Sequence, residues 1–282
     1  MAARAEGEDR TAAPRVSYLG PEATFTHEAA VRHFGEGAEF LPAPSITAIF
    51  EDVEGGRSDW GVVPVENALE GTVNVTLDRL IDSPLTIAGE VLLPIDIHLL
   101  SRAESLSGIE RVLSHPHALA QCRPWLRKML PEVPAEEAAS TSLAAQEAAE
   151  DPKLAALGSR MAAERYGLRV LVEKLDSESI NVTRFFVLGE EAAPRAERAR
   201  TSLLFILPNE PGALLRAFAP ISERGFNLTK LESRPSRRKA WEYVFFMDVE
   251  GHVEDPKLAE GVEALRERVK FLRVLGSYPM GG

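Results

Sequence analysis

The chain has 282 residues, 45% of them hydrophobic, which is enough for one large domain or two ordinary ones. Its 43 acidic and 32 basic residues leave a net charge of −11, which argues against nucleic acid or an anionic membrane as a partner, so an anionic substrate needs a locally cationic pocket. No apolar run approaches the ~20 residues of a membrane helix, and the only cysteine, Cys122, excludes an internal disulfide and a cysteine-based zinc site.

Residues 1–14 are rich in alanine and charge, and we interpret them as a disordered tail of a cytoplasmic protein rather than a secretory signal. From Val16 onward, short apolar runs alternate with helical spacing. The predicted elements are, in chain order, a strand at 16–19, a helix at 24–34, a strand at 60–65, a helix across 73–81, two strand pieces within 91–100 that meet at Pro94, a strand at 109–114 and a helix across 119–129. This alternation predicts an α/β architecture with largely parallel sheets, in which ligands lie beyond the carboxyl ends of the strands.

A further strand is predicted at 181–189, where Thr183 and Arg184 precede an apolar run. A hydroxyl and a guanidinium at the edge of a buried strand suit a cleft. Because neighbouring side chains of a strand point to opposite faces, at most one of the two points straight into a given pocket.

Residues 190–200 are charged, rich in alanine and contain Pro194, which is typical of an interdomain linker. After it the order strand, helix, strand, strand, helix, strand predicts a ferredoxin-like βαββαβ domain over 201–282. The linker predicts separable domains, so that a chain cut after about Arg195 keeps some activity of the first domain.

Polar turns recur where the predicted strands end. Each has an ordinary structural explanation as a capped turn or a solvated loop, and two histidines at 115 and 117 lack a third ligand at helpful spacing, so no metal site is predicted. Together they place hydroxyl-bearing turns at several strand ends, which is how an α/β fold forms a small anion pocket. The turns lie at 20–27, 63–73, 114–118 and 140–142.

The same segments carry a resemblance to the prephenate dehydratase family with a C-terminal ACT domain. The motifs are Gly-Pro-Glu-Ala-Thr-Phe-Thr at 20–26, Val-Pro-Val-Glu-Asn at 63–67, Ser-His-Pro-His-Ala-Leu-Ala-Gln-Cys at 114–122, Asn-Val-Thr-Arg-Phe at 181–185, Asn-Glu-Pro-Gly-Ala-Leu at 209–214 and Glu-Ser-Arg-Pro at 232–235. The resemblance implies a catalytic domain over 15–189 with two lobes, like periplasmic binding proteins. One lobe holds 15–95 with 182–189 and the other holds 96–178.

The resemblance also implies the activity, the loss of CO2 and water from prephenate to give phenylpyruvate, with no cofactor and no metal. It assigns Thr183, Arg184 and Asn67 to catalysis, Arg184 by binding a substrate carboxylate. The substrate-binding positions that it implies are Thr24, Thr26, Gly71, Ser114, Gln121 and Thr141.

For the ACT domain the resemblance implies feedback inhibition by phenylalanine and a homodimer or homotetramer, because family ACT domains bind the effector at a dimer interface. The effector-binding positions are Asn209, Gly212, Ala213, Leu214, Glu232 and Ser233.

The chain departs from the family pattern at Ala23, usually Gly, at Ala68, usually Ser, and at His117, commonly Gln. Two other functions fit the residues. Arogenate dehydratase performs the same chemistry on an aminated substrate, and a non-catalytic cytosolic amino-acid sensor would have the same fold.

Overall fold

The computed structural model describes residues 13–175 and 180–281, and these form three β-sheets flanked by helices. The tail predicted at 1–14 lies outside the described residues except for its last two. No helix within the described ranges combines the length and the apolarity that crossing a bilayer requires.

The described elements run from β1 to β15 and from α1 to α8. Those of the first 175 residues are β1 (Arg15–Leu19), α1 (Phe25–Phe34), β2 (Glu39–Ala43), α2 (Ile46–Glu54), β3 (Trp60–Asn67), β4 (Gly71–Thr72), α3 (Asn74–Asp82), β5 (Thr86–Pro94), β6 (His98–Ser101), β7 (Arg111–Ser114), α4 (Pro116–Met129), β8 (Ala135–Glu137), α5 (Thr141–Glu150), β9 (Leu154–Gly158), α6 (Arg160–Tyr166) and β10 (Arg169–Val172). Those that follow are β11 (Val182–Gly189), β12 (Ala199–Ile206), α7 (Ala213–Ser222), β13 (Leu228–Pro235), β14 (Tyr243–Glu250), α8 (Pro256–Arg266) and β15 (Phe271–Pro279).

The first two sheets are mixed, so the prediction of largely parallel sheets was wrong. In the first sheet, of order β2-β1-β3-β11-β5, β1 is parallel to both neighbours, whereas β11 is antiparallel to β3 and β5. In the second, of order β10-β6-β9-β7-β8, β6 is antiparallel to its neighbours. The physical reason is that the chain crosses between lobes twice, after β5 and before β11, and a returning strand enters its sheet in the opposite direction.

The third sheet has the order β13-β14-β12-β15 with α7 and α8 packed against it. Its chain order β12-α7-β13-β14-α8-β15 confirms the predicted ferredoxin-like domain. The two-lobed α/β domain with a ferredoxin-like domain after it is therefore the fold of the chain.

The C-terminal domain packs directly on the first lobe. A single hydrophobic core joins residues of β3, β5 and β11 to residues of the third sheet. Its members on these strands are Val63, Val65, Ile87, Phe186 and Leu188 of the lobe, and Leu204, Val244, Phe246, Leu275 and Tyr278 of the domain. At Gly276 the backbones approach so closely that a Cβ atom would lie 2.1 Å from the carbonyl oxygen of Ile87. The two units thus share a core and do not merely touch.

Candidate active site

A cavity of about 730 Å³ lies between the two lobes. Residues from both sheets line it, and they come from the turn after β1, the end of β3, the start of β11 and the first turns of α1, α4 and α5. The lining residues that the sequence predicted as site residues are Thr24, Thr26, Asn67, Gln121, Thr141 and Thr183.

Thr183 and Asn67 face each other across neighbouring strands, because the antiparallel register of β11 and β3 pairs them. The Asn67 side-chain nitrogen Nδ2 lies 2.8 Å from Thr183 Oγ1 and 2.7 Å from Asn181 Oδ1. The Asn67 Oδ1 atom accepts the N–H groups of Leu69 and Glu70 at 2.9 and 3.0 Å. The whole amide is therefore fixed by four contacts.

The Asn67 amide determines the hydrogen-bonding role of Thr183. Thr183 Oγ1 accepts a hydrogen bond from Asn67 Nδ2, so the hydroxyl hydrogen of Thr183 is left to donate. The side chain is 9% exposed and lines the cavity, so the hydrogen can point into the cleft. Thr183 is thus arranged as a hydrogen-bond donor toward a bound molecule.

The lobes are bridged by side chains at the rims of the cleft. Asn181 Nδ2, on the first lobe, donates to Gln121 Oε1 on α4 of the second lobe at 3.1 Å. Glu70 of the β3–β4 turn contacts the His117 ring on α4, and Arg165 Nε donates to Glu22 Oε2 at 2.6 Å. These contacts bridge the two lobes around the cavity that Thr183 lines.

Three helices begin at the cleft. Thr24 caps α1, His115 caps α4 and Ser140 caps α5, and each side chain accepts an N–H from its own first turn. The N-terminus of a helix carries about half a positive charge and unpaired N–H groups, which suit carboxylates. None of the lining residues in the described part of the chain is Lys or Arg. Helix N-termini, and not charged side chains, are therefore what the described lining offers to an anion.

Arg184 does not line the cleft, which corrects its predicted role as a carboxylate ligand. It is 8% exposed and points to the opposite face of β11, toward the C-terminal domain, because side chains alternate along a strand. Its Nε donates to Glu90 at 2.7 Å and its Nη1 and Nη2 to Asp248 and Tyr278 at 2.5 and 3.0 Å. The guanidinium is engaged away from the cavity.

Two predicted substrate-binding residues also have other roles. Ser114 is fully buried, and its hydroxyl donates to the carbonyl of Leu157 at 2.8 Å, so it fastens β7 to β9. Gly71 lies outside the cavity lining, at a φ of 83°, in the left-handed region that favours glycine. It closes the turn whose N–H groups hold the Asn67 amide.

The two alanines that depart from the family pattern have different surroundings. Ala23 is buried at a φ of 60°, and its N–H donates to His27 Nδ1 at 3.0 Å. Burial lowers the pKa of His27, which keeps that nitrogen an acceptor. Ala68 is exposed, and its N–H donates to the carbonyl of Val182 at 2.9 Å.

Asn181, Glu70, His115 and His117 line the cleft but were not among the predicted site residues. Asn181 directly precedes β11, and strand alternation extended by one residue places it on the same face as Thr183, so the strand period contains this signal. Burial, and then the neighbouring His117, lowers the pKa of His115, which favours a neutral ring there. The described residues hold no cluster of three or more metal-ligating side chains.

The pair of Glu70 and His117 leads to a prediction. The Glu70 carboxylate lies at the mouth of the cleft, where it would repel an anionic substrate. Its contact with the His117 ring keeps the carboxylate directed toward α4. We expect His117→Ala to raise KM about fivefold with little change in kcat, since one exposed charge contact is worth about 1 kcal/mol. Steady-state kinetics on the double variant with Glu70→Gln is the control, and it should restore KM. Equal KM values for the single and double variants would contradict this role.

A second cavity, of about 440 Å³, lies in the C-terminal domain. Asn209, Gly212, Ala213 and Leu214 line it together with aromatic side chains of 241–245, whereas Glu232 and Ser233 do not. Glu232 instead accepts the Thr72 hydroxyl of the first lobe at 3.0 Å, and Ser233 is exposed. Within a single chain β13 thus presents Glu232 to the lobe and not to this cavity, and the roles of Glu232 and Ser233 in an effector site between two chains stay predictions.

Comparison with known proteins agrees with this geometry. The family model described as prephenate dehydratase matches residues 16–193, and that of the ACT domain matches residues 201–267. A bifunctional chorismate mutase/prephenate dehydratase of Aquifex aeolicus is 47% identical over 265 residues, which cover 94% of this chain and 73% of the relative.

Two solved structures are similar over nearly the whole chain. The prephenate dehydratase of Arthrobacter aurescens in complex with L-Phe has a TM-score of 0.86 at 34% identity, covering 94% of this chain and 89% of the other. GqqA, described as a novel type of quorum quenching acylase, has a TM-score of 0.86 at 28% identity, covering 95% and 98%. The family models and the relatives from Aquifex and Arthrobacter show that the chain belongs to the prephenate dehydratase family, as a lyase of prephenate that carries a C-terminal ACT domain.

Proposed function

We propose that the cleft binds prephenate between the two lobes and that Thr183 assists departure of the ring hydroxyl. The observation that carries this proposal is the Asn67 contact, which occupies the acceptor side of Thr183 Oγ1 and leaves its hydrogen for the leaving oxygen. Thr24, Thr26, Gln121 and Thr141 line the space for the rest of the substrate.

In this reaction the bond between the ring and its carboxylate breaks and releases CO2. Its electron pair completes the aromatic ring as the C–O bond to the ring hydroxyl breaks, and the oxygen takes up one proton to leave as water. The helix N-termini of α1 in one lobe and of α4 and α5 in the other suit the two carboxylates. Lobe closure excludes water and strengthens each of these contacts.

The GqqA likeness raises an acylase as a second activity for the same cleft. An acylase nucleophile needs a base that takes its proton. The partner of Thr183 Oγ1 in the cleft is an amide N–H, which is a donor and cannot act as that base. The hydroxyl is therefore better suited to donate a hydrogen than to attack.

Absorbance of phenylpyruvate formed from prephenate tests the proposed reaction. Turnover of arogenate, measured beside it, decides between the keto and the amino substrate. Release of the acyl group from an acylated amine tests the acylase. Prephenate turnover lost in Thr183→Ala supports the proposal, and turnover of the acylated amine alone would overturn it.

For the C-terminal domain we propose that its cavity is part of a phenylalanine site. Gly212 begins α7 at a φ of 76°, and the helix N-terminus beside it suits an amino-acid carboxylate. The aromatic side chains of Trp241, Tyr243 and Phe245 line the same cavity and suit a phenyl ring. Binding to one arrangement of the domains better than to another would inhibit the enzyme.

Gly212→Ala should weaken phenylalanine binding, because a Cβ is disfavoured at this φ by roughly 1 kcal/mol and the turn must shift. We expect the dissociation constant measured by calorimetry to rise at least fivefold. Gly225→Ala is the matched control, since it lies at a φ of 82° in the same domain but outside the cavity. Equal binding by the two variants would contradict the assignment.

We further propose a cytoplasmic homodimer or homotetramer that associates through the C-terminal domain. Several large apolar side chains of this domain are exposed in the single chain, namely Leu215, Leu231, Trp241, Tyr243 and Phe271. Exposed apolar surface is a feature of interaction sites, so we expect some of these side chains to be covered in the assembly. The domain limits that we propose remain 15–189 for catalysis and 201–282 for regulation, with the linker between them. Light scattering measures the mass of the assembly.

A further inference from the structure

We propose that Asp248 of the C-terminal domain is a positioning residue for catalysis, acting on Thr183 through Arg184. The catalytic domain then does not hold its own active-site strand in place without a carboxylate from the neighbouring domain. This inference rests on the role proposed above for Thr183.

The contacts that carry it form one buried network. Arg184 donates to Asp248 Oδ2 at 2.5 Å, and Asp248 Oδ1 accepts the Ser202 hydroxyl at 2.6 Å. On the lobe side, Glu90 accepts from Arg184 Nε at 2.7 Å and from Arg200 Nη1 at 2.6 Å. Two cations and two anions thus balance, and they come from both domains.

Because the network is buried, the loss of one charge is not compensated by bulk water. The side chains of Arg184, Glu90 and Asp248 are 9%, 0% and 5% exposed. Removing the charge of Asp248 leaves two guanidinium groups, of Arg184 and Arg200, with the single carboxylate of Glu90. A buried cation without its partner is strongly unfavourable, so Arg184 must move or recruit water.

The Tyr278 hydroxyl adds the last contact, at 3.0 Å from Arg184 Nη2 and 2.6 Å from the Ser202 hydroxyl. Burial and the charge of Asp248 raise the pKa of Tyr278 well above its ordinary value, so this hydroxyl stays neutral. Burial lowers the pKa of Arg184, but the charges of Asp248 and Glu90 beside it raise the pKa by more, so the guanidinium stays charged.

A movement of the Arg184 backbone also displaces Thr183, because one peptide bond joins the two residues. Thr183 and Arg184 are adjacent on β11, and the pairing of β11 with β3 shifts its register directly after Arg184. That irregularity lies between the fixed pair of Thr183 and Asn67 and the regular pairing beyond. The position of the Thr183 hydroxyl relative to the Asn67 amide therefore depends on the anchor of Arg184, and misplacement by about 1 Å costs on the order of 10² in rate.

The test is Asp248→Asn in the full chain, which keeps the shape and removes the charge. We expect kcat to fall at least tenfold while KM changes less than threefold, because the substrate does not contact Asp248. The control is Arg234→Gln, which breaks another contact between the domains, with Asp78 of α3 at 3.0 Å, and touches neither β11 nor the cleft. It should lower the melting temperature but leave kcat within twofold.

A double-variant cycle separates positioning from general destabilisation. In a Thr183→Ala background, Asp248→Asn should have almost no further effect on kcat, since the hydroxyl that it positions is gone. If Asp248→Asn fails to fold, Ser202→Ala loosens the same carboxylate and takes its place in the cycle. Unchanged kcat in the folded variant, or a full loss that persists in the Thr183→Ala background, overturns the inference. Retained turnover in Thr183→Ala alone would instead overturn the role of Thr183.

Discussion

Thr183→Ala is expected to lower kcat by about 10²–10⁴ with little change in KM, as the loss of a hydrogen-bond donor to the leaving oxygen should. The hydroxyl is buried at the edge of the cleft, and Asn67 orients it by donating to its oxygen. Stability should change little, because the lost methyl and hydroxyl groups border a cavity and not the core.

Thr183→Ser is the matched control, since it keeps the hydroxyl and removes only a methyl group. We expect it to retain kcat within about tenfold. Initial rates at saturating prephenate, followed by phenylpyruvate absorbance, measure both variants. An alanine variant as active as the serine variant would show that another group assists the leaving oxygen.

Deleting the chain after about Arg195 is expected to abolish folding of the catalytic domain and, with it, all activity. This reverses the expectation from the linker that the domains are separable. Deletion removes Leu204, Val244, Phe246, Leu275 and Tyr278 from the core that they share with the first lobe. Each buried apolar side chain of this size contributes about 1.5–3 kcal/mol.

The same deletion takes Asp248, Tyr278 and Arg200 away from Arg184 and Glu90, which keep each other and gain water in place of the missing partners. The lost core contacts are comparable in size to the whole stability of a domain, about 5–15 kcal/mol. Circular dichroism and thermal melting of the truncated chain test this expectation.

A nicked chain provides the control for the deletion. Most residues from Glu191 to Arg198 are exposed, so a protease site inserted there can be cut in the folded protein. Nicking keeps both halves and their shared core, and we expect it to preserve the fold and the activity. A truncated chain that melts as cooperatively as the nicked one would contradict the shared-core account.

Local patterns predicted much of the fold. The βαββαβ order followed from spacing alone, and Pro94 correctly marked the break between β5 and β6. The elements β2, α2, β9, α6 and β10 were not predicted. In the edge strand β2 the apolar run is short and adjoins Pro42. Strand direction within a mixed sheet depends on where the chain crosses between lobes, which no local pattern shows.

The site was predicted in part. Strand alternation predicted that only one of Thr183 and Arg184 points into the cleft. It did not predict which one, because the residues that bind the Arg184 side chain, Glu90 and Asp248, are 94 and 64 residues distant along the chain. Charge pairing over such distances has no sequence period. The helix N-termini that replace a cationic pocket likewise become visible only once three helices meet at one cleft. The roles of Thr24, Thr26, Gln121 and Thr141 toward the substrate stay predictions.

The buried charges between β11 and the third sheet also bear on how such chains can be recombined. A regulatory domain transplanted from a relative must bring the equivalents of Arg200, Ser202, Asp248 and Tyr278, or the acceptor lobe keeps an orphaned guanidinium. The linker at 190–198 joins the domains covalently, but it does not divide the chain into two units that unfold separately. In amide hydrogen exchange, β11 and β14 should therefore open together, as one unit, although 53 residues separate Gly189 from Tyr243.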